Sequence, residues 1–184
     1  MDLYRVLSKK TEEILNKNNI TFNIGSLEQL NEIYELYNSR TNWFKENNIK
    51  QWSKYIVRHK NEFPIAIENK NYYILKKNNE IIAGFELSNN PGYFEDNGEA
   101  LYLNKVVSKV GYKNIGIYIF MVCKDIANNN NKKYLRLDCV KWNDKLNEIY
   151  EKHGFKLVGC GKSDYEYCLR ECNVSNGMEQ FSHN

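Results

Sequence analysis

The 184-residue chain reads as an α/β protein: a single domain with a mixed, mostly antiparallel central sheet flanked by helices in three layers. Three observations predict this. Two β-rich runs flank the turn signal Asn78-Asn79, which makes an antiparallel hairpin. The segment Gly116 to Ala127 is apolar on nearly all sides and too long for a strand, so it reads as a buried helix. It lies between β-rich runs at Ala100 to Val107 and Tyr134 to Val140, which makes a strand–helix–strand crossover.

The elements follow in order. Met1 to Asn19 is expected to be a short amphipathic helix, with Leu3, Val6, Leu7, Ile14 and Leu15 as its apolar positions. Thr21 to Ile24 is a short strand. Ser26-Leu27-Glu28-Gln29 fits a capping box, with Ser26 as N-cap and Gln29 three residues on. Leu30, Ile33, Tyr34 and Tyr37 continue it at helical spacing. A second helix is expected over Ile49 to His59. Asn71 to Lys76 and Ile81 to Leu87 form the hairpin, and Asn89 to Gly98 is a loop holding Pro91-Gly92 and Asn97-Gly98. After the crossover, Asp144 to Lys152 is a helix with Leu146, Ile149 and Tyr150 on its inner face, and Gly154 provides its stop. Phe155 to Cys160 and Tyr165 to Leu169 complete the strands. The expected organisation is a helical extension over residues 1–19, the domain over 20–171, and a disordered polar tail over 172–184.

Composition excludes several classes. The formal net charge of +3 is too small for a nucleic-acid-binding face. Five cysteines, Cys123, Cys139, Cys160, Cys168 and Cys172, form no CxxC pair, which argues against a zinc site or a disulfide framework. Cys123 and Cys139 sit in apolar runs and read as buried thiols. No apolar run approaches the roughly 20 residues of a membrane span, and Met1 to Lys17 mixes charges unlike a secretory signal. A reduced cytoplasmic setting is the expectation. No nucleophile elbow, Walker loop or HExxH occurs, and His59 and His153 lack metal-ligand partners at suitable spacing.

Chemistry concentrates in the crossover. A helix opening near Gly116 directly after a strand and the turn Ser108 to Ile115 presents free backbone N–H groups, which favour a phosphate. Gly111 and Gly116 permit close approach, and Lys109 and Lys113 bring positive charge. A tight connection with solvated lysines reads equally well from these residues alone. Lys113-Asn114-Ile115-Gly116-Ile117-Tyr118, behind Val106-Val107, resembles the pyrophosphate turn of the GNAT superfamily of acyl-CoA N-acyltransferases. Lys113 stands for that family's Arg/Gln, and Tyr118 for its last small residue. The run Leu135-Arg136-Leu137-Asp138-Cys139, Trp142-Asn143, Leu146 and Tyr150-Glu151-Lys152-His153-Gly154-Phe155 is similar to the family's strand–helix–Gly-Phe signature. The resemblance spans about residues 20–171 and is specific from 101 to 160.

The resemblance implies an N-acetyltransferase that moves an acetyl group from acetyl-CoA, its co-substrate, to a primary amine. Val106, Val107, Lys113, Asn114, Ile115, Gly116, Ile117, Tyr118 and Asn143 then hold the co-substrate, and Tyr150 protonates the departing thiolate. Asn143 is an N-cap on local grounds. The attacking amine must be neutral, so its proton needs an acceptor. Glu86 is the first candidate, with Glu99 or a water relay as alternatives, and Asp138 reads as structural. The aromatic residues Tyr34, Tyr37, Trp43, Phe44, Trp52 and Tyr55 form either core or a wall for a cationic amine. The amine itself is unidentified and a homodimer is left open. Neither nucleic acid nor membrane is expected as a partner. A non-catalytic acyl-CoA-binding module on the same fold is the competing reading.

Overall fold

The computed structural model describes residues 3–52, 55–95 and 97–175. Helices are α1 (Lys9–Lys17), α2 (Leu30–Glu46), α3 (Tyr55–His59), α4 (Glu62–Glu68), α5 (Ile115–Asn129) and α6 (Asp144–Lys152). Strands are β1 (Ile20–Ile24), β2 (Tyr72–Lys77), β3 (Glu80–Ser88), β4 (Ala100–Ser108), β5 (Tyr134–Val140), β6 (Lys156–Lys162) and β7 (Glu166–Asn173). They form one seven-stranded sheet in the order β1-β2-β3-β4-β5-β7-β6. β4 and β5 run parallel, whereas β1–β2, β2–β3, β5–β7 and β6–β7 are antiparallel. The mixed, mostly antiparallel sheet with flanking helices expected from the sequence is the sheet observed.

The chain divides into two compact units: Met1–Thr11 with Leu87–Asn104 and Phe120–Asn184, and Glu12–Glu86 with Lys105–Ile119. The second unit centres on aromatic packing. Ile33, Leu36 and Tyr37 of α2 pack with Phe63 and Ile67 of α4, Tyr72 and Ile74 of β2, and Val107 of β4. Gly84 is required there, because a Cβ would meet the Tyr72 hydroxyl at 2.2 Å. Ser26 donates its N–H to Gln29 Oε1 at 3.0 Å, as the capping-box reading expects. It opens a 3₁₀ turn that leads into α2.

In the first unit, Leu135 and Leu137 of β5 are buried, as are Val122, Ile126 and Phe155. Residues 3–7 are not helical. The Tyr4 and Val6 backbones are held by Asn130 and Asn129, and Ser8 Oγ donates to Asp125 at 2.8 Å. The expected helix over 1–19 is therefore confined to Lys9–Lys17. The expected helix over Ile49 to His59 is also shorter. Residues 49–52 are non-helical, Trp52 has φ 61°, and Ser53 and Lys54 lie outside the described residues. Helix α4, which carries Pro64, was not expected. The proline falls in the first turn, where a missing N–H leaves no bond unmade. β7 continues to Asn173, two residues into the expected tail, and residues 176–184 lie outside the described residues.

Candidate active site

The proposed phosphate turn leaves β4 at Ser108, whose carbonyl accepts from Arg40 Nε at 3.0 Å. Lys109 N–H then donates to Ile82 O at 2.8 Å, which fixes where the turn begins. Gly111 (φ 91°) and Asn114 (φ 61°) turn the chain through left-handed conformations, tolerated by glycine and asparagine. Helix α5 opens at Ile115, one residue earlier than expected, with Asn114 O accepting from Ile117 N–H at 3.2 Å. The N–H groups of Ile115 and Gly116 open this first turn without a carbonyl one turn back in the helix, so they face out of the helix end as donors. Lys113 and Asn114 are exposed, Gly116, Ile117 and Tyr118 are half-buried, and Ile115 is buried. Val106 is half-buried, while Val107 belongs to the core. Lys109 departs from expectation. Its ammonium is paired with Glu80, which also accepts from the Tyr112 hydroxyl at 2.9 Å, so its charge is committed inside the unit. Lys113 is the turn's exposed cation.

Glu86, on β3, accepts from Lys105 Nζ at 2.5 Å, and Glu62 of α4 accepts from the same ammonium at 3.0 Å. Lys105 has φ 50° within β4, and its carbonyl accepts the Tyr37 hydroxyl. That kink turns the lysine toward the two carboxylates. Burial pulls the ammonium pKa down, but Glu86 and Glu62 outweigh it and hold the pKa above its ordinary value. Glu99 is tied to Lys133, and its backbone carbonyl accepts Lys133 N–H at 2.8 Å.

In the other unit, Asn143 caps α6, its Oδ1 accepting Leu146 N–H at 3.1 Å. The buried side chains of α6 are Asn147 and Tyr150 rather than Ile149, which is exposed. Asn147 was not singled out from sequence. Its Nδ2 donates to Asn143 O at 2.9 Å and Val140 O at 3.0 Å, and its Oδ1 accepts Arg170 Nε at 2.9 Å. It thus clamps the end of β5 to α6 and β7. A lone asparagine one turn after the cap, on the inner stripe, was the available signal. The Tyr150 ring packs near Phe120 and edge-on to Phe155, with centroids at 6.0 and 5.8 Å. Burial pushes its phenol pKa well up, with Cys139 and Asp138 adding to the rise. Its hydroxyl has no hydrogen-bond partner among the described residues and is not among the fully buried orphan atoms. It is a protonated donor with its proton unspent.

The aromatic residues before the hairpin resolve as packing. Tyr37 is fully buried against Phe63, centroids 5.0 Å apart, and Trp52 and Phe44 stack edge-on at 5.5 Å. The side chain of Tyr55 lies outside the described residues. His59 Nδ1 lies 2.8 Å from Glu62, and His153 packs on Phe120 at 4.9 Å. No group of three potential ligands is placed to hold a metal among the described residues. None of the described helices is long and apolar enough to cross a membrane.

This strand order, with its parallel β4–β5 pair and the helix-opening turn, is the fold of the GNAT acetyltransferases. A GNAT-family acetyltransferase from Listeria monocytogenes superposes with TM-score 0.69 at 18% identity, covering 84% of this chain and 94% of that one. The PaiA N-acetyltransferase from Thermoplasma acidophilum, solved in complex with coenzyme A, gives TM-score 0.63 at 17% identity over 84% of this chain and 98% of its own. In sequence, the chain is 24% identical over 139 residues to the uncharacterized N-acetyltransferase YesJ of Bacillus subtilis, covering 70% of this chain and 77% of the relative. No protein-family model matches. The chain thus has the fold of the GNAT-family acetyltransferases and is similar in sequence to an N-acetyltransferase, in keeping with the motifs over 101–160.

Proposed function

We infer that this protein transfers an acetyl group from acetyl-CoA to a primary amine of a small molecule, peptide or protein by direct attack on the thioester. The observation that carries the reading is Tyr150: a buried, protonated phenol with an unshared hydroxyl, four residues before the Gly154-Phe155 that ends its helix. Its role is to give a proton to the thiolate that leaves when the amine attacks. The first turn of α5, with Lys113, Asn114, Ile115, Gly116, Ile117 and Tyr118, offers backbone donors and one exposed cation to the pyrophosphate. Val106 and Val107 would border the pantetheine arm through their backbone, and Asn143 would meet it beside its capping bond. That a structure of the same fold was solved with coenzyme A supports a CoA-type co-substrate.

Proton removal from the amine falls to Glu86 in this reading, directly or through a water. Glu86 is held by Lys105, so it reaches an incoming amine only as that ion pair loosens. The decisive experiment is release of free thiol from acetyl-CoA over a panel of alkylamines, aminoglycosides and peptides. Acceptor-dependent release supports the reading. Tight acetyl-CoA binding with no release for any amine would replace it with a non-catalytic acyl-CoA-binding module.

A further inference from the structure

On the face of β5 and β7 turned away from α6, one carboxylate is poorly compensated. Asp138 is partly buried, and its described side-chain partner is the Tyr165 hydroxyl, which donates to Oδ2 at a long 3.4 Å. No lysine, arginine or histidine pairs with it among the described residues. Its neighbour on the same face, Arg136, is already engaged. It donates from Nε to Glu171 at 2.8 Å and lies 5.4 Å from the ring centroids of both Phe94 and Tyr134. A half-buried carboxylate without a cation is costly to keep, which makes it a candidate for binding one.

The surroundings fit that use. Tyr93 and Tyr167 stack at 4.1 Å and 14°, and Tyr165 stands edge-on to Tyr167 at 6.3 Å. Tyr93 and Tyr165 are exposed, so ring surface faces solvent beside the carboxylate. The arrangement is built into the hairpin. A Cβ at Gly161 would meet the Tyr167 hydroxyl at 2.3 Å and its Cζ at 2.4 Å, so Tyr167 lies across its cross-strand partner only because that partner is glycine. The Tyr93 hydroxyl is held by Ser163 at 2.9 Å. Asp138 lies in the same compact unit as Tyr150.

We propose that Asp138, framed by Tyr93, Tyr165 and Tyr167, holds an aliphatic ammonium group of the acceptor, so that the acceptors are cationic alkylamines rather than neutral or aromatic amines. The carboxylate supplies the countercharge, and the ring faces attract the cation. As an account of the acceptor this rests on acetyl transfer; as an account of cation binding it stands apart from it.

Calorimetric titration of the wild-type chain with 1,5-diaminopentane, with neutral 1,5-pentanediol as control and acetyl-CoA as a separate arm, tests it. The diamine is expected to bind at least tenfold more tightly than the diol. Asp138→Asn is expected to weaken diamine binding at least tenfold and to leave acetyl-CoA binding unchanged, and Asp138→Glu to recover part of the loss. Equal binding of diamine and diol, or undiminished diamine binding by the Asn variant, overturns the proposal. Acetyl-CoA binding without diamine binding removes the cation site and leaves acetyl transfer standing. Asp138-dependent diamine binding without acetyl-CoA binding does the reverse.

Discussion

Tyr150 and Asp138 illustrate how burial sets the use of a titratable side chain. Burial pushes the Tyr150 phenol pKa up, so the proton stays on the oxygen throughout the working range. Tyr150→Phe keeps the ring contacts with Phe120 and Phe155 and deletes only the donor. Loss of a positioned acid is worth about 10²–10⁴ in rate. A fall in kcat of that order with acetyl-CoA affinity unchanged is the expected outcome, read by thiol release and titration calorimetry. An unchanged kcat removes Tyr150 from the chemistry. Asp138 is the mirror case: burial raises the proton affinity of its carboxyl, against the hydrogen bond from Tyr165. A group whose folded pKa lies above its unfolded value supports the fold when protonated. That support is complete below the unfolded value of about 3.9 and is lost as pH rises through the folded value. At neutral pH the ionised Asp138 therefore weighs against folding. Asp138→Asn should raise the melting temperature at pH 7, with the gain shrinking toward pH 3.5, where Asp138 itself is protonated. A Tm gain independent of pH would show that the effect is not ionisation. The burial of Tyr150 on α6 was legible from helical spacing. Asp138 was not, because its isolation depends on which cations reach it, and spacing along a strand does not encode that.

The elements of the crossover were the most legible. β5 and α6 have the expected bounds, because an alternating apolar run (Leu135, Leu137, Cys139), an Asn cap and a helix-ending Gly154 are all local signals. The segment before the hairpin was least legible. A positive-φ Trp52 interrupts the helix expected over Ile49 to His59, and α4 begins at a proline-bearing turn. The kink in β4 was invisible for a different reason. Lys105 sits inside an apolar strand, and nothing in its sequence neighbours announces φ 50°. A lysine in that region is strained, and the strain persists because the Tyr37 hydroxyl and two carboxylates hold it from both ends. Lys105→Met should accordingly destabilise the protein. Breaking a buried pair costs about 3–5 kcal/mol. Glu62 is half exposed and recovers water, so about 2–3 kcal/mol is expected, or a fall in Tm of about 5–10 °C. Adding Glu86→Gln, which removes the stranded charge, should restore part of the loss. No restoration would mean that Lys105 acts through its backbone conformation and not through the ion pair.

At the scale of the whole molecule, the fold was readable because period and length change together along the chain. A period-two hairpin, a loop and then an apolar helix between two strands leave few ways to assemble a sheet. The division into two compact units was not readable, because β3, β4 and α5 are each continuous in sequence while their contacts divide. Co-substrate binding is the property that tests the chain as one cooperative system. A ligand that binds only the folded state stabilises it by RT ln(1 + [L]/Kd), about 2.7 kcal/mol at a hundredfold excess over Kd. For a chain of this length that amounts to about 5–10 °C in Tm. Acetyl-CoA should produce a saturable shift of that size by differential scanning calorimetry. Because the proposed phosphate contacts come chiefly from backbone N–H groups at the start of α5, Lys113→Ala should reduce the shift without abolishing it. A shift abolished by Lys113→Ala would assign the phosphates to that side chain alone. No shift at millimolar acetyl-CoA would count against transfer and against a binding module alike, since both require the folded chain to prefer the thioester.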